Sequence, residues 1–229
     1  APFHEEALRH PSMSDSFVVT LDGPAASGKG TLAEMIAKEY DFAYLDTGTL
    51  YRGVAYLVLR SGGDPADERA ATKAAQSFSL DLIEGADIRT REIGAGASKV
   101  AAMPGVRQAL LEFQRRFATH PPGGKRGAVL AGRDIGTVVC PDANVKFFVI
   151  ASPETRAHRR YLELKAAKPD LTEAEVFADL ARILLYADRD GAMVQAADAE
   201  LLDTTHLTIE AAFAAARRVI DGAFRRCTS

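Results

Sequence analysis

The sequence lacks tryptophan and contains only two cysteines and five histidines among its 229 residues. The histidines show no metal-ligand spacing such as H-E-x-x-H, which argues against a zinc site of that kind. Cys140 and Cys227 are far apart in the chain, a usage that fits a reducing cytoplasm. Cys140 follows two valines without a histidine nearby, so we interpret it as a small core residue and not as a nucleophile.

A strong net charge and long apolar segments are also missing. The formal net charge of −3 provides no field that would recruit nucleic acid or an acidic membrane. Any anionic ligand must therefore be held by locally placed Lys and Arg. With 47% hydrophobic and 26% charged residues, the composition is that of a globular protein, and we expect one domain with insertions over 17–229. Residues 1–16 are interpreted as a disordered extension or a vector-derived remnant.

Short apolar runs alternate with helical patterns, which predicts an α/β fold around a parallel sheet of about five strands. Alternating apolar and polar residues between Phe78 and Gly94, with a turn signal at Glu84-Gly85, predict a small antiparallel insertion. A helix pair at about 153–189 is a second candidate insertion. The predicted strands are 17–22, 42–45, 128–130, 145–151 and 200–202, and the predicted helices are a first one from Lys29 and then 49–60, 65–77, 104–118, 153–167, 172–186 and 208–225.

A glycine-rich loop, GPAASGKGT, follows the first predicted strand and precedes the first predicted helix. Its glycines let successive N–H groups converge on phosphate oxygens, and the helix N-terminus adds the positive end of its dipole. Lys29 would then reach the β- and γ-phosphates. Gly30 stands where the common pattern has Ser or Thr, so the hydroxyl on the Mg²⁺ side, acting through water, is expected to be that of Thr31.

Two further polar clusters follow predicted strands. Residues 46–52, DTGTLYR, and residues 131–137, AGRDIGT, each place an arginine directly after an apolar run. Carboxyl ends of parallel strands share one edge of a sheet, so we expect both clusters to lie beside the glycine loop. An arginine at such an edge can donate two parallel hydrogen bonds to one phosphate. Taken alone, however, residues 46–52 would also be explained by a capped helix with a surface arginine, and residues 131–137 by a buried Arg-Asp ion pair.

Together, GPAASGKGT, DTGTLYR, GASKVAAMPGVRQALL and GRDIGTVVCPDA resemble the bacterial cytidylate kinase family, from about Phe17 to the carboxyl terminus. The resemblance implies a P-loop fold of three layers, with a small insertion at about 62–102 that binds the nucleoside monophosphate and a helical lid at about 152–190. It implies transfer of the γ-phosphoryl group of ATP to CMP or dCMP, with Mg²⁺ accompanying ATP. It implies small-molecule nucleotides as the only partners, and we favour a monomer by analogy with the fold.

The resemblance also assigns roles to residues. Ser98, Arg107 and Asp134 would recognise the base, because the N4 amino group of cytosine is a donor and its O2 and N3 atoms are acceptors. Catalytic charges would come from Lys29, Arg52, Arg133 and Arg189, with further charge from the lid arginines Arg156, Arg159 and Arg160. The ATP site would comprise Gly23, Pro24, Ala25, Ala26, Ser27, Gly28, Lys29, Gly30 and Thr31 with Arg156 and Arg160, and the CMP site Thr47, Tyr51, Arg52, Ser98, Arg107, Arg133, Asp134 and Asp188.

The chain departs from the family pattern in two places. Ala131 replaces the usual first Asp of Asp-Gly-Arg-Asp, and the end of the lid, ARILLYADRDGAMVQAADA, carries apolar residues where charges are expected. Asp188 and Arg189 are the nearest candidates for a ribose-binding carboxylate and a phosphate-binding arginine. The sequence leaves open what these departures do to turnover, which of CMP, dCMP and UMP is preferred, and the oligomeric state.

Three other readings compete with this one. A P-loop kinase acting on UMP or AMP would share the loop and both clusters. A nucleotide-switched regulator of the GTPase type is disfavoured because no N-K-x-D motif follows the later strands. An inactive relative that binds nucleotide as a scaffold is motivated by the departures in the lid.

Overall fold

The computed structural model describes residues 16–166, 168–178, 181 and 193–227. Five parallel strands form one sheet in the spatial order β2-β3-β1-β4-β5. This confirms the predicted α/β architecture and all five predicted strands. The strands are β1 (Phe17–Asp22), β2 (Ala43–Asp46), β3 (Gly127–Gly132), β4 (Val145–Ile150) and β5 (Glu200–Asp203).

Helices cover both faces of the sheet, giving three layers. They are α1 (Lys29–Tyr40), α2 (Gly48–Arg60), α3 (Glu68–Gln76), α4 (Arg91–Ala101), α5 (Pro104–Thr119), α6 (Pro153–Lys165), α7 (described at residues 173–178) and α8 (Ile209–Cys227). Short 3₁₀ turns lie at Leu80–Ile83 and Pro122–Gly124, and a π-helical turn at Ile135–Val139. No helix in the described ranges is both long and apolar enough to cross a membrane.

Two apolar clusters hold the layers together. On one face of the sheet, Leu32 and Ile36 of α1 pack with Ile220 of α8. On the other face, residues of α2, α3, α4 and α5 pack against alternate residues of the same strands, with Leu50 and Leu110 completely buried. Burial of the sheet on both sides explains why the central strands read as continuous apolar runs.

The predicted antiparallel insertion between Phe78 and Gly94 is wrong. This segment forms the 3₁₀ turn Leu80–Ile83 and the first turn of α4. Two of its apolar residues, Phe78 and Ile83, are buried because they pack on Gly53 of α2 and not because they lie on one face of a strand. A Cβ on Gly53 would come within 2.6 Å of the Phe78 ring. Thr90 then caps α4 by accepting the Ile93 N–H at 3.3 Å.

Three predicted segments are only partly testable. Residues 1–15 lie outside the described residues, as do residues 182–192. Of the helix predicted over 172–186, residues 173–178 and 181 are described, and they are helical.

Candidate active site at the carboxyl edge of the sheet

The glycine loop joins β1 to α1 and is shaped by backbone positions that side chains would disturb. Gly23 has a φ of +150°, and a Cβ on it would lie 2.0 Å from the Val149 carbonyl oxygen. Gly28, the N-cap of α1, has a φ of +91° and provides no side-chain cap for the helix. The first N–H groups of α1 therefore receive no hydrogen bond acceptor from the side chain of the N-cap residue. They can donate to an anion, which the helix dipole favours at this end.

Lys29 is the first residue of α1 and its side chain curls back over the loop. Its ammonium group donates to the Pro24 carbonyl oxygen at 3.3 Å. Burial lowers the pKa of Lys29, an effect opposed by Asp46 and Asp22 and reinforced by Arg133 and Arg156. The lysine thus lies among charges contributed by β1, β2, the segment after β3, and α6.

Helix α6 places two arginines on the loop. Arg156 is 5% exposed, and its Nη1 donates to the Ala25 carbonyl oxygen at 3.5 Å while its buried Nε lacks a partner among the described residues. Burial also lowers the pKa of its guanidinium. A buried, incompletely paired cation beside an anion-binding loop agrees with the ATP-site role predicted for Arg156.

A second predicted lid arginine, Arg160, is directed elsewhere. Its Nη1 donates to Glu163 at 2.9 Å on the exposed face of α6. Arg159 contacts the loop in its place, because its Nη1 donates to the Ser27 carbonyl oxygen at 3.1 Å and to Thr204 Oγ1 at 2.9 Å. The ATP-site role of Arg160 stays a prediction, and the sequence reading did not single out Thr204.

The loop forms one wall of a cavity of about 320 Å³. Thr31 lines this cavity together with Arg159 of α6 and Ala212 of α8. The remaining lining residues are Ala26, Ser27, Gly28, Leu32, Leu162, Glu163, Thr204, Leu207, Thr208 and Ile209.

A second cavity, of about 350 Å³, lies between α2, α5 and the segment after β3. It brings together four residues predicted for the acceptor nucleotide: Thr47, Tyr51, Arg107 and Asp134. Burial raises the pKa of Tyr51, and the nearby Asp134 raises it further. Gln108 and Gln114 of α5 also line this cavity and were not predicted.

The remaining predicted acceptor residues lie outside the lining of this cavity. Arg52 donates from Nη1 to the Ile88 carbonyl oxygen at 3.1 Å, which directs it towards α4. Ser98 is exposed on α4 and donates to the Gly94 carbonyl oxygen at 3.2 Å. Arg133 is exposed at the carboxyl end of β3. Asp188 and Arg189 lie outside the described residues.

Asp22, at the end of β1, is a further polar residue of this edge that sequence reasoning missed. It is 4% exposed, and its two carboxylate oxygens accept the N–H groups of Ile135 at 2.8 Å and Gly136 at 2.7 Å. Burial raises its pKa. The only sequence signal was an acidic residue closing an apolar run directly before Gly23.

Elsewhere, Cys140 is half-buried against the core, and burial raises the pKa of its thiol to about 11. This agrees with its interpretation as an inert residue. Within the described ranges, no group of three or more His, Cys, Asp or Glu side chains is arranged to hold a metal ion.

A five-stranded parallel sheet, a glycine loop with Lys29 at the start of α1, and two cavities at one edge define a kinase of the P-loop class. The profile of the cytidylate kinase family matches residues 19–221. The chain is 51% identical over 210 residues to "Cytidylate kinase" of Paramagnetospirillum magneticum, covering 90% of this chain and 98% of the relative. It is 50% identical over 205 residues to "Cytidylate kinase" of Rhodospirillum rubrum, covering 89% and 96%.

The chain therefore belongs to the cytidylate kinase family. In fold, it is similar to a crystal structure of an uncharacterized protein from Eubacterium ventriosum, with a TM-score of 0.53 and 8% identity, covering 90% of this chain and 99% of that one. At that identity the likeness concerns the fold alone.

Proposed function

We propose that this chain transfers the γ-phosphoryl group of ATP to CMP, and to dCMP, with the two nucleotides bound in the two cavities at the carboxyl edge of the sheet. The observation that supports this is the position of Lys29. Its electrostatic neighbours include Arg156 from the helix beside the first cavity and Arg133 from the segment beside the second. A lysine placed between two anion sites suits a reaction whose main obstacle is repulsion between two polyanions.

ATP would occupy the loop and the first cavity. Its phosphates would accept from the loop amides, from Lys29 and from Arg156, whose Nε is buried without a partner in the described structure. The nucleoside would extend towards Arg159 and Leu207, which offer a guanidinium plane and an apolar contact. Residues 23–31 would thus form the donor half of the site.

CMP would occupy the second cavity with its base between α5 and the segment after β3. Asp134 can accept from the cytosine N4 amino group, and Arg107 can donate to O2 and N3. Uracil has an acceptor at position 4, so it would place two acceptors together at Asp134 and bind less well. Arg52 and Arg133 lie outside the lining of this cavity and would turn to the phosphate.

In the reaction, an oxygen of the CMP phosphate attacks the γ-phosphorus. The bond from that phosphorus to the β,γ-bridging oxygen breaks, and ADP leaves with the electron pair. A general base is not required, because the attacking oxygen is already anionic. The protein's contribution is to align the two nucleotides and to stabilise charge on the transferred group.

Mg²⁺ would supply further charge neutralisation at the phosphates, and the oxygen groups present fit it. Asp46 is exposed at the end of β2, and among the charged groups it has the largest effect on the pKa of Lys29. Carboxylate and hydroxyl oxygens are ligands that Mg²⁺ accepts directly or through water. Asp46 and Thr31 are the candidates for this role.

The decisive experiment measures ATP-dependent phosphorylation of CMP, dCMP, UMP and AMP by the full chain. We expect CMP and dCMP to have the largest kcat/KM values. Arg107→Met should raise KM for CMP on the order of 10-fold, because the base loses a hydrogen bond from a charged donor. Arg116→Met, an exposed change on the same helix, is the control and should have little effect. UMP or AMP clearly exceeding CMP would overturn the substrate assignment.

The cell compartment and the class of ligand belong to the same proposal. The small-molecule substrates, and two cysteines without a partner in the described structure, suit the cytoplasm. The two cavities, of about 320 and 350 Å³, have the size of small-molecule sites, which suits nucleotides as ligands.

A further inference from the structure

The segment after β3 is held at both ends by side chains from other elements. Its centre is the π-helical turn Ile135–Val139, which follows Arg133 and Asp134 directly. At the beginning of the turn, the Asp22 carboxylate accepts two successive backbone N–H groups. At its end, Arg115 of α5 donates to the carbonyl oxygens of Val138 at 3.0 Å and Val139 at 3.1 Å. A π-helical turn is rare and often marks a functional position.

Asp22 is an unusual carboxylate because its two described hydrogen bonds come from amides and not from a cation. It is 4% exposed, and burying a charge is costly unless hydrogen bonds compensate for the lost water. Each of its oxygens satisfies one N–H group that would otherwise be buried at the start of the turn. An asparagine of the same shape offers only one acceptor and would turn an NH₂ group towards the second amide.

The position of Asp22 links the two halves of the site. The residue closes the central strand β1, pairs in register with Gly132 of β3 and Phe148 of β4, and is followed immediately by Gly23 of the glycine loop. Gly136 packs so closely on β1 that a Cβ on it would lie 3.0 Å from Thr20 Oγ1. Asp22 therefore directly precedes the donor loop and also binds the start of the acceptor segment through two hydrogen bonds.

We propose that Asp22 is a positioning residue that sets Arg133 and Asp134 at a fixed place relative to the phosphate-binding loop, through its hydrogen bonds to Ile135 and Gly136. This rests on the proposed function, because Arg133 and Asp134 are assigned there to the acceptor nucleotide. Asp22 itself lines neither cavity. Its loss should therefore affect the acceptor half more than the donor half.

The test compares Asp22→Asn with Thr20→Val as a matched control. Thr20 is fully buried two residues earlier on β1, and its Oγ1 has no partner within the described structure. Asp22→Asn should raise KM for CMP on the order of 10-fold and lower kcat, while KM for ATP changes less than about threefold. Thr20→Val should leave all three values near those of the unmodified chain.

A second measurement is independent of turnover. Hydrogen exchange of the backbone amides at 133–139, recorded without nucleotides, should become faster in Asp22→Asn and remain slow in Thr20→Val. If the unmodified chain does not phosphorylate CMP, the proposed function fails, whereas the exchange comparison still shows whether Asp22 holds this segment.

Two results would overturn the proposal. One is a folded Asp22→Asn protein with unchanged exchange at 133–139 and an unchanged KM for CMP. The other is a parallel rise of both KM values, which would mean that Asp22 serves the fold generally. If Asp22→Asn fails to fold, Asp22→Ser keeps one acceptor without adding an amide donor, and failure of both to fold also assigns Asp22 to stability alone.

Discussion

At the scale of single residues, Lys29 illustrates a conflict between activity and stability. Its ammonium group is drawn over the loop towards Pro24, where burial lowers its pKa. Lys29→Met should reduce kcat/KM on the order of 10² to 10³-fold, as expected for a charged group that stabilises the transferred phosphoryl. The same change removes a partly buried charge and should leave the free energy of unfolding equal or higher at pH 7.

The difference in unfolding free energy between Lys29→Met and the unmodified chain should depend on pH with a defined sign. The folded-state pKa of Lys29 lies below its ordinary value of 10.5, so the folded protein binds fewer protons there than the unfolded chain. The cost of the buried charge is present below the folded pKa and fades as the pH rises through it. The stability advantage of Lys29→Met should therefore shrink between pH 7 and pH 10 in denaturant titrations. A variant less stable than the unmodified chain at pH 7 would contradict this account.

Residue identity alone predicted part of the site. Lys29 and Asp134 were recognisable because a loop pattern and a strand end fixed their positions along the chain, whereas Arg107 was predicted only through the resemblance to the cytidylate kinase family. Asp22 was not recognisable, and Arg159 was recognised only as one of three lid arginines, because their partners are 113 and 132 residues away in sequence. Such contacts depend on the order in which strands lie in the sheet, which no local pattern encodes.

At the scale of elements, two neighbouring arginines of α6, Arg159 and Arg160, make different contacts and should have different roles. Arg159 joins the glycine loop to the residue after β5, with Nη2 donating to the Thr204 carbonyl oxygen at 2.7 Å. Arg159→Met should raise KM for ATP on the order of 10-fold, because both the loop and the wall of the first cavity lose a charged donor. Arg160→Met is the matched change on the exposed side of the same helix. Because Arg160 pairs with Glu163 there, we expect KM for ATP to change less than threefold, a result that would remove Arg160 from the ATP site implied by the family resemblance. Equal effects of the two changes, measured at saturating CMP, would argue against this separation.

The elements also show where sequence patterns mislead. Helix α4 was not predicted, and its first residues were assigned to an antiparallel insertion because apolar residues alternate just before it. Its own pattern, with Ile93, Gly96 and Val100 buried at helical spacing, is weakened by a glycine whose place is set by contact with Ala55 of α2. That contact is tertiary, so propensity and periodicity did not reveal it.

At the scale of the whole molecule, the edge of the sheet formed by the carboxyl ends of the strands contains the site, and the edge formed by their amino ends stabilises the fold. The loop, Asp22 and both cavities lie where the strands end. At the opposite edge, Phe17 begins β1 and its ring stacks on Phe224 of α8, with 4.1 Å between ring centroids. Five residue steps along β1 separate the two edges by about 17 Å. Contacts at the aromatic edge therefore stabilise the fold without shaping the site.

Phe224→Ala tests this division directly. Tyr40 and Phe42 also surround this ring, with centroids 5.5 Å and 6.1 Å away, so the change removes apolar contact between α8 and the sheet. We expect the free energy of unfolding to fall by about 2–3 kcal/mol, since the side chain is partly buried. At a temperature where the variant remains folded, KM for ATP and for CMP should stay within about twofold of the unmodified values, because the sheet transmits little of a local repacking over that distance. A raised KM for either nucleotide in the folded variant would show that the aromatic edge also positions the loop, most directly through β1.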